Sequence, residues 1–414
     1  MAYRPRLVDT VLARMLTQHP AVSLTGPRAT GKTTSSRLHA HTIVRLDRPA
    51  EAAVFAADPD VPLRTLAAPA LLDEWQEVPT VLGAVKRAVD DDPRPGRFIL
   101  TGSVRAELDS PTWPGTGRLV RIPMWPMTVG EIDGRINPSI LTRWRDGDFE
   151  SANPSHPSPQ SRLDLGDYVR LIARGGLPDA ALRLQGQARD EWLSSYAEQI
   201  ATRDAADLGG LRDPARFRRF LEATALNTAG LPTDATVARA VGADRRTVAG
   251  YETLLANLLL LDLVPAWTTN RLSRLSKAPK RFLCDTGLAM SILRVDEAAV
   301  FRDGDLLGRL LETFVAAQLR PLVALDPAMP RMYHLRENGG GHEVDLLLEF
   351  GAGRVIAIEV KATSTPTLRD ARHLTWLQQR LGDRWIGGVV LHTGLVHATL
   401  ADGIHALPIS ALWG

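Results

Sequence analysis

From the N-terminus to about residue 135, short apolar runs alternate with amphipathic stretches; the runs are Ala21 to Thr25, Ile43 to Leu46, Ala70 to Leu72, Phe98 to Leu100 and Leu119 to Ile122. Runs apolar on both faces predict buried strands, and the amphipathic stretches predict helices covering a mostly parallel sheet. Between Arg145 and Arg162 the pattern gives way to Asp, Ser, Asn and Pro, which predicts a loop or linker. From Tyr168 to about Leu226 the period becomes helical, with Trp192, Tyr196 and Ile200 on one face. Thr233 to Leu261 reads as a helix, a turn at Gly242 and a second helix opening on Asp244, Arg245, Arg246 and Thr247, which is helix-turn-helix spacing. The next segment, Val264 to Leu283, holds Trp267, Asn270, Arg271, Arg274, Lys277 and Lys280 and reads as the basic hairpin of a winged helix. A helix around Leu307 to Leu319 and strands at Val344 to Glu349 and Val355 to Ala362 follow. The expected segments are 1–140, an α/β domain; 141–166, a linker; 167–290, a helical domain with a winged helix; and 291–414, a mixed α/β domain.

With 414 residues, 44% hydrophobic and 23% charged, the chain has room for two or three domains. A formal net charge of +2 restricts any nucleic-acid surface to a local patch. The lone cysteine, Cys284, excludes an intramolecular disulfide and a cysteine-rich zinc site, and favours a cytoplasmic setting. No membrane span is expected: Met1 to Arg6 lacks an apolar signal core, and the richest apolar run, Leu254 to Val264, is interrupted by Asn257 and Asp262. The histidines show no close pair with zinc spacing.

Five lysines stand against 44 arginines, and two of the five occupy positions suited to phosphate chemistry. Lys32 lies in Gly26-Pro27-Arg28-Ala29-Thr30-Gly31-Lys32-Thr33-Thr34, a Walker A pattern directly after a strand. Its backbone N-H groups would cradle phosphates at a helix N-terminus, Lys32 would reach the outer phosphates of ATP, and Thr33 would ligate Mg²⁺. Ala70-Leu71-Leu72-Asp73-Glu74 is an apolar strand ending in two carboxylates, as a Walker B element requires: Asp73 toward the magnesium, Glu74 toward the attacking water. Thr101 and Ser103 mark the tip of the next strand as γ-phosphate sensor candidates, and Arg118 is a candidate charge stabiliser or simply a solvated arginine. Arg245 and Arg246 could contact DNA, or the winged helix could serve as a lid.

Near the C-terminus, Asp345 interrupts an apolar strand, while Glu359 and Lys361 share one face of the next, because side chains at i and i+2 of a strand point the same way. Glu312, on the preceding helix, would add a third carboxylate. Two readings stand. Asp345, Glu359 and Glu312 could hold Mg²⁺ beside the Lys361 ammonium for phosphodiester hydrolysis, or Glu359 and Lys361 could form a plain ion pair on a strand.

The Walker residues, with Asp73-Glu74-Trp75-Gln76 and Pro79, Lys86 with Asp90, Leu100-Thr101-Gly102-Ser103, and Gly117-Arg118 leading to Glu131, resemble the AAA+-like ATPases that carry a C-terminal domain of unknown function. Arg174-Gly175-Gly176-Leu177-Pro178, Arg203-Asp204, Pro279-Lys280, Asp285-Thr286-Gly287-Leu288 and the Glu359-Val360-Lys361 strand extend the resemblance over nearly the whole chain. Over roughly the last 110 residues it is similar to PD-(D/E)xK nucleases of the Holliday-junction-resolvase-like type. The resemblance implies a P-loop AAA+-like ATPase domain, a helical and winged-helix middle domain and a restriction-endonuclease-like C-terminal α/β domain. It further implies ATP hydrolysis with Mg²⁺ and self-association through inter-subunit arginines, with DNA as the partner. Whether the last domain cuts DNA or only binds DNA or protein stays open.

Overall fold

Each of the five N-terminal apolar runs forms a strand, within a residue or so of its expected bounds: β1 (Ala21–Thr25), β2 (Thr42–Arg45), β3 (Ala70–Asp73), β4 (Phe98–Thr101) and β5 (Val120–Pro123). The computed structural model describes residues 3–102, 116–150, 163–204, 213–337 and 341–413. Two compact units are present, Met1–Pro126 with Asn257–Leu259, and Met127–Ala256 with Leu260–Gly414.

In the first unit the strands form one parallel sheet in the order β2-β3-β4-β1-β5. Strands β3 and β4 are buried along their whole length, which accounts for their unbroken apolar sequence. Helix Val81–Asp91 covers the sheet with Val81, Leu82, Ala84, Val85 and Val89, which join Leu72, Trp75, Phe98 and Leu100 in one core. Parallel pairing sets the carboxyl ends of β1, β3 and β4 along one edge, and that edge is where open α/β sheets bind ligands.

In the second unit, helices Leu165–Arg174 and Gly186–Gln199 occupy the region with helical period, and the rings of Trp192 and Tyr196 stack at 5.4 Å as their spacing suggests. Three helices follow, Pro214–Leu226, Asp234–Val241 and Arg245–Asn257. The turn after the second is closed by Gly242 in the left-handed region, φ 69°, which a residue with a Cβ adopts only at a cost. An antiparallel ribbon of β6 (Leu261–Val264) and β7 (Lys280–Leu283) comes next, where a wing was expected.

The C-terminal part is a six-stranded mixed sheet of β8 (Arg331–Arg336), β9 (Glu343–Glu349), β10 (Val355–Lys361), β11 (Trp385–His392), β12 (Ala398–Ala401) and β13 (Ile404–Pro408), in the order β12-β13-β11-β10-β9-β8. Strand β10 pairs parallel with β11 and antiparallel with β9. Helix Gly304–Leu325 is longer than its apolar pattern suggested, because the Asp303 carboxylate caps Asp305 N and Leu306 N one turn earlier. This helix packs on β10 and β7, and helix Arg372–Leu381 packs on β9, β10 and β11. Among the described residues no helix is long and apolar enough to cross a membrane.

Candidate nucleotide site and carboxylate pocket

The chain leaves β1 through a tight loop that ends on helix Lys32–Arg37. Gly31 caps this helix at φ 93°, and a Cβ on Gly26 would lie 2.1 Å from the Met124 carbonyl oxygen, so both glycines are demanded by geometry. Ala29 also takes a positive φ of 58°, and the buried Thr30 hydroxyl donates to the Pro27 carbonyl at 2.9 Å. The Lys32 ammonium donates to the carbonyls of Gly26 (2.9 Å) and Pro27 (2.8 Å). Burial lowers its pKa to about 8, Arg28 adds repulsion, and Glu74 and Asp73 oppose the fall.

Asp73, buried at the end of β3, accepts hydrogen bonds at one oxygen from Thr33 (2.8 Å) and Thr101 (2.5 Å). Three expected site residues are thus gathered at one point, and the oxygen donors of Thr33 and Asp73 suit a hard divalent cation. Thr101 is engaged with Asp73. Glu74 follows in a left-handed conformation, φ 53°, and accepts a hydrogen bond from Gln76 Nε2. A Cβ on Gly102 would lie 2.3 Å from Gln76 Oε1, so this glycine leaves the room in which Gln76 meets Glu74. Thr34 is exposed on the first turn of the helix. Arg118 pairs with Asp90 (2.8 Å), which also pairs with Lys86 (2.7 Å); the two cations hold the Asp90 carboxyl below its ordinary pKa. Ser103 lies outside the described residues.

The sequence reading missed a brace beneath the loop. Arg6 is buried, and its guanidinium donates to the carbonyls of Thr30 and Trp125, both at 2.8 Å. The Tyr3 hydroxyl lies 2.9 Å from Ser35 Oγ and donates to Asp9, whose carboxylate accepts the Arg6 backbone N-H. The signal in the sequence was slight: arginine and tyrosine just ahead of helix Leu7–Leu16.

In the second unit, Lys280 on β7 is 2% exposed, a rare burial for lysine, and lies among carboxylates. Its Nζ is 2.5 Å from Glu312, 3.7 Å from Asp345 and 3.8 Å from Glu343. Burial opposes its charge, but Glu312, Asp345 and Glu343 outweigh burial and raise the ammonium pKa. Burial, then Asp345, pushes Glu312 up to about 8. The buried Glu359 carboxylate pairs with Lys361 (2.6 Å), and burial followed by Asp345 raises its pKa well above the usual range. Asp345 also accepts the Val360 backbone N-H at 2.9 Å. Lys280, Glu312, Glu343, Asp345 and Lys361 line a cleft of about 360 Å³.

The expectation that Glu312, Asp345 and Glu359 ligate one Mg²⁺ is not met. Among the described residues no group of three or more His, Cys, Asp or Glu is placed to hold a metal ion. The Lys280 ammonium lies against Glu312 and Asp345, and Lys361 against Glu359, so these residues do not fit a resident divalent cation.

Of the basic residues expected on the hairpin, Arg271 is exposed and Lys277 half-buried, whereas Arg274 and Lys280 are buried. Arg274 is buried in a two-pronged pair with Glu349 (2.7 and 2.8 Å), and Arg281 is buried against Glu252 and Asp234, so these cations bind the ribbon to its own unit. Arg245 and Arg246, at the start of the third helix, are exposed as a nucleic-acid contact would require.

Residues 18–133 match the AAA domain family model, residues 165–299 match the Domain of unknown function (DUF8612), and residues 307–412 match the Domain of unknown function (DUF4143). Uncharacterized proteins of Mycobacterium tuberculosis and Mycobacterium bovis are each 28% identical over 401 residues, covering 96% of this chain and 82% of their own length. Among solved structures, a Walker-type ATPase of Pyrococcus abyssi is 15% identical with a TM-score of 0.41, over 69% of this chain and 94% of its own. A mutant of Thermotoga maritima RuvB is 18% identical with a TM-score of 0.28, over 67% and 90%. The match over residues 18–133 and the strand-loop-helix geometry agree on a P-loop ATPase-like N-terminal domain built on a parallel sheet.

Proposed function

We propose that the chain is an ATP-binding and ATP-hydrolysing regulator or scaffold whose second unit binds DNA or protein without cleaving it. The observation that carries the ATPase reading is the convergence of Thr33 and Thr101 on Asp73 beneath the glycine-bounded loop. Bound Mg²⁺ would neutralise phosphate charge and polarise the terminal phosphoryl group. Backbone N-H groups at the start of helix Lys32–Arg37 and the Lys32 ammonium would bind the phosphates, while Thr33 and Asp73 would hold the cation. Glu74, oriented by Gln76, would take the proton of the attacking water.

The non-cleaving reading rests on Lys280 within the carboxylate pocket. A nuclease reading keeps one support, that Lys361, Asp345 and Glu312 line a common cleft. Segments 1–140, 167–290 and 291–414 are proposed as the ATPase, winged-helix and restriction-endonuclease-like parts, and the protein as a cytoplasmic one able to self-associate. Purified protein should hydrolyse ATP with Mg²⁺, and Lys32→Ala and Glu74→Gln should each reduce turnover at least about 100-fold. Full activity in both variants would remove the nucleotide-site assignment. Incubation with branched, single-stranded and duplex DNA should leave the DNA intact, and Asp345-dependent cleavage would restore the nuclease reading.

A further inference from the structure

We propose that Lys280 is the built-in cation of the C-terminal carboxylate pocket, and that its ammonium keeps divalent metal out of a site whose carboxylates would otherwise bind one. The ammonium lies 2.5 Å from Glu312, 3.7 Å from Asp345 and 3.8 Å from Glu343, carboxylates drawn from a helix and from β9. These are the separations of ion pairs through a single nitrogen, so Lys280 draws together groups that would otherwise repel. The lysine comes from β7, a strand of the two-stranded ribbon and not of the sheet bearing Asp345 and Glu359. Occupancy therefore depends on where the ribbon holds Lys280.

The ribbon is itself held firmly. Strand β7 is buried at all four positions, and the next residue, Arg281, is anchored to Glu252 and Asp234. Between the strands, Arg274 grips Glu349 at the far end of β9, and its guanidinium lies 5.0 Å from the Trp267 ring and 4.9 Å from that of Tyr333. Ammonium and metal differ in what they can do. A lysine neutralises charge but offers no open coordination position and does not acidify water, so the pocket as built does not serve as a hydrolytic metal centre although it carries carboxylates. One buried oxygen, Glu359 Oε1, has no hydrogen-bond partner and points to unused ligating capacity.

The inference deepens the non-cleaving reading and rests on it only for the C-terminal unit. The test is Mn²⁺ titration of the full chain without nucleotide, followed by electron paramagnetic resonance, in an Asp73→Asn background that removes the N-terminal cation ligand. The parent should bind no Mn²⁺ in an Asp345-dependent way. Lys280→Ala should gain one Mn²⁺ per chain, at least about tenfold tighter than anything the parent shows, and lose it again when Asp345→Asn is added. Lys280→Met keeps the apolar stem and serves where the alanine variant unfolds on thermal melting. Asp345-dependent Mn²⁺ binding by the parent would overturn the inference, as would the absence of any gain in a folded Lys280 variant. Cleavage of DNA by the parent would defeat the non-cleaving reading as well, whereas Mn²⁺ binding without cleavage would defeat only the inference.

Discussion

Arg6 and Gly102 touch no expected ligand, yet each sets the position of a residue that would. Arg6 supports the phosphate loop from below by holding the Thr30 carbonyl, so its loss should loosen the loop more than it lowers the chemical rate. Arg6→Ala should weaken ATP binding about tenfold, since two hydrogen bonds from a charged donor disappear, and Arg6→Lys should recover part of the loss. Calorimetric ATP titration checks this; unchanged affinity in a folded Arg6→Ala protein would remove the bracing role. Gly102 acts on the other side of the reaction. An alanine there would press on the buried Trp75 ring, 2.9 Å away, and push Gln76 off Glu74, and in a folded protein should lower kcat about tenfold while leaving ATP affinity near its parent value. At this scale legibility was uneven. The positions of Thr33, Asp73 and Thr101 were readable because parallel pairing puts the ends of β1, β3 and β4 on one sheet edge, whereas the bond from Thr101, expected as a sensor, to Asp73 was not. The roles of Arg6 and Lys280 were not, because they depend on side chains meeting across the fold, and spacing along the chain does not record such meetings.

Among the elements, the buried runs were readable and the ribbon was readable in its position but not in where its cations go. Strands β3 and β4 carry apolar runs, and β1 one interrupted by the small Ser23, because both their faces are covered. The segment carries Arg271, Arg274, Lys277 and Lys280, a composition that suggests a nucleic-acid surface, but Glu349 and Glu312 draw Arg274 and Lys280 inward and leave only Arg271 and Lys277 toward solvent. Removing one partner of such a pair leaves a buried charge uncompensated. Arg274→Ala should therefore destabilise the second unit by about 3–5 kcal/mol in denaturant unfolding. The neighbouring strand β8 contributes an acid-sensitive contact. His334 is buried beside the Ala278 carbonyl, 3.2 Å away, and burial, with Lys280, Lys277 and Arg336 adding repulsion, lowers its pKa to about 4. The folded pKa is below the unfolded value, so the unfolded chain takes up the proton first as pH falls. Its stabilising effect is complete above about pH 6.5, declines below it and is gone by about pH 4, roughly 3 kcal/mol in all. His334→Gln should flatten the stability profile across this window, and an unaltered profile would show that other groups set the acid sensitivity.

For the whole molecule, the decisive question is whether nucleotide and DNA influence one another. A formal charge of +2 gives no general attraction for DNA, so any affinity must come from a local patch such as Arg245 and Arg246, and must weaken as salt rises. If the protein is a nucleotide-dependent regulator, its DNA dissociation constant should differ between ATP-bound and ADP-bound forms, by about fivefold or more. Thermodynamic linkage then requires DNA to change the ratio of ATP to ADP affinity by the same factor. Equal factors are a stronger result than either alone, because contamination or aggregation would not produce them. Lys32→Ala should abolish the dependence from the nucleotide side. The double variant Arg245→Ala, Arg246→Ala should abolish it from the DNA side while leaving ATP hydrolysis in the absence of DNA intact, since neither arginine belongs to the N-terminal unit. Fluorescence anisotropy with labelled DNA, paired with calorimetric nucleotide titration, measures both factors. DNA affinity that is the same with ATP, with ADP and without nucleotide would reject the regulator and leave an ATPase domain whose hydrolysis serves some other partner of the second unit.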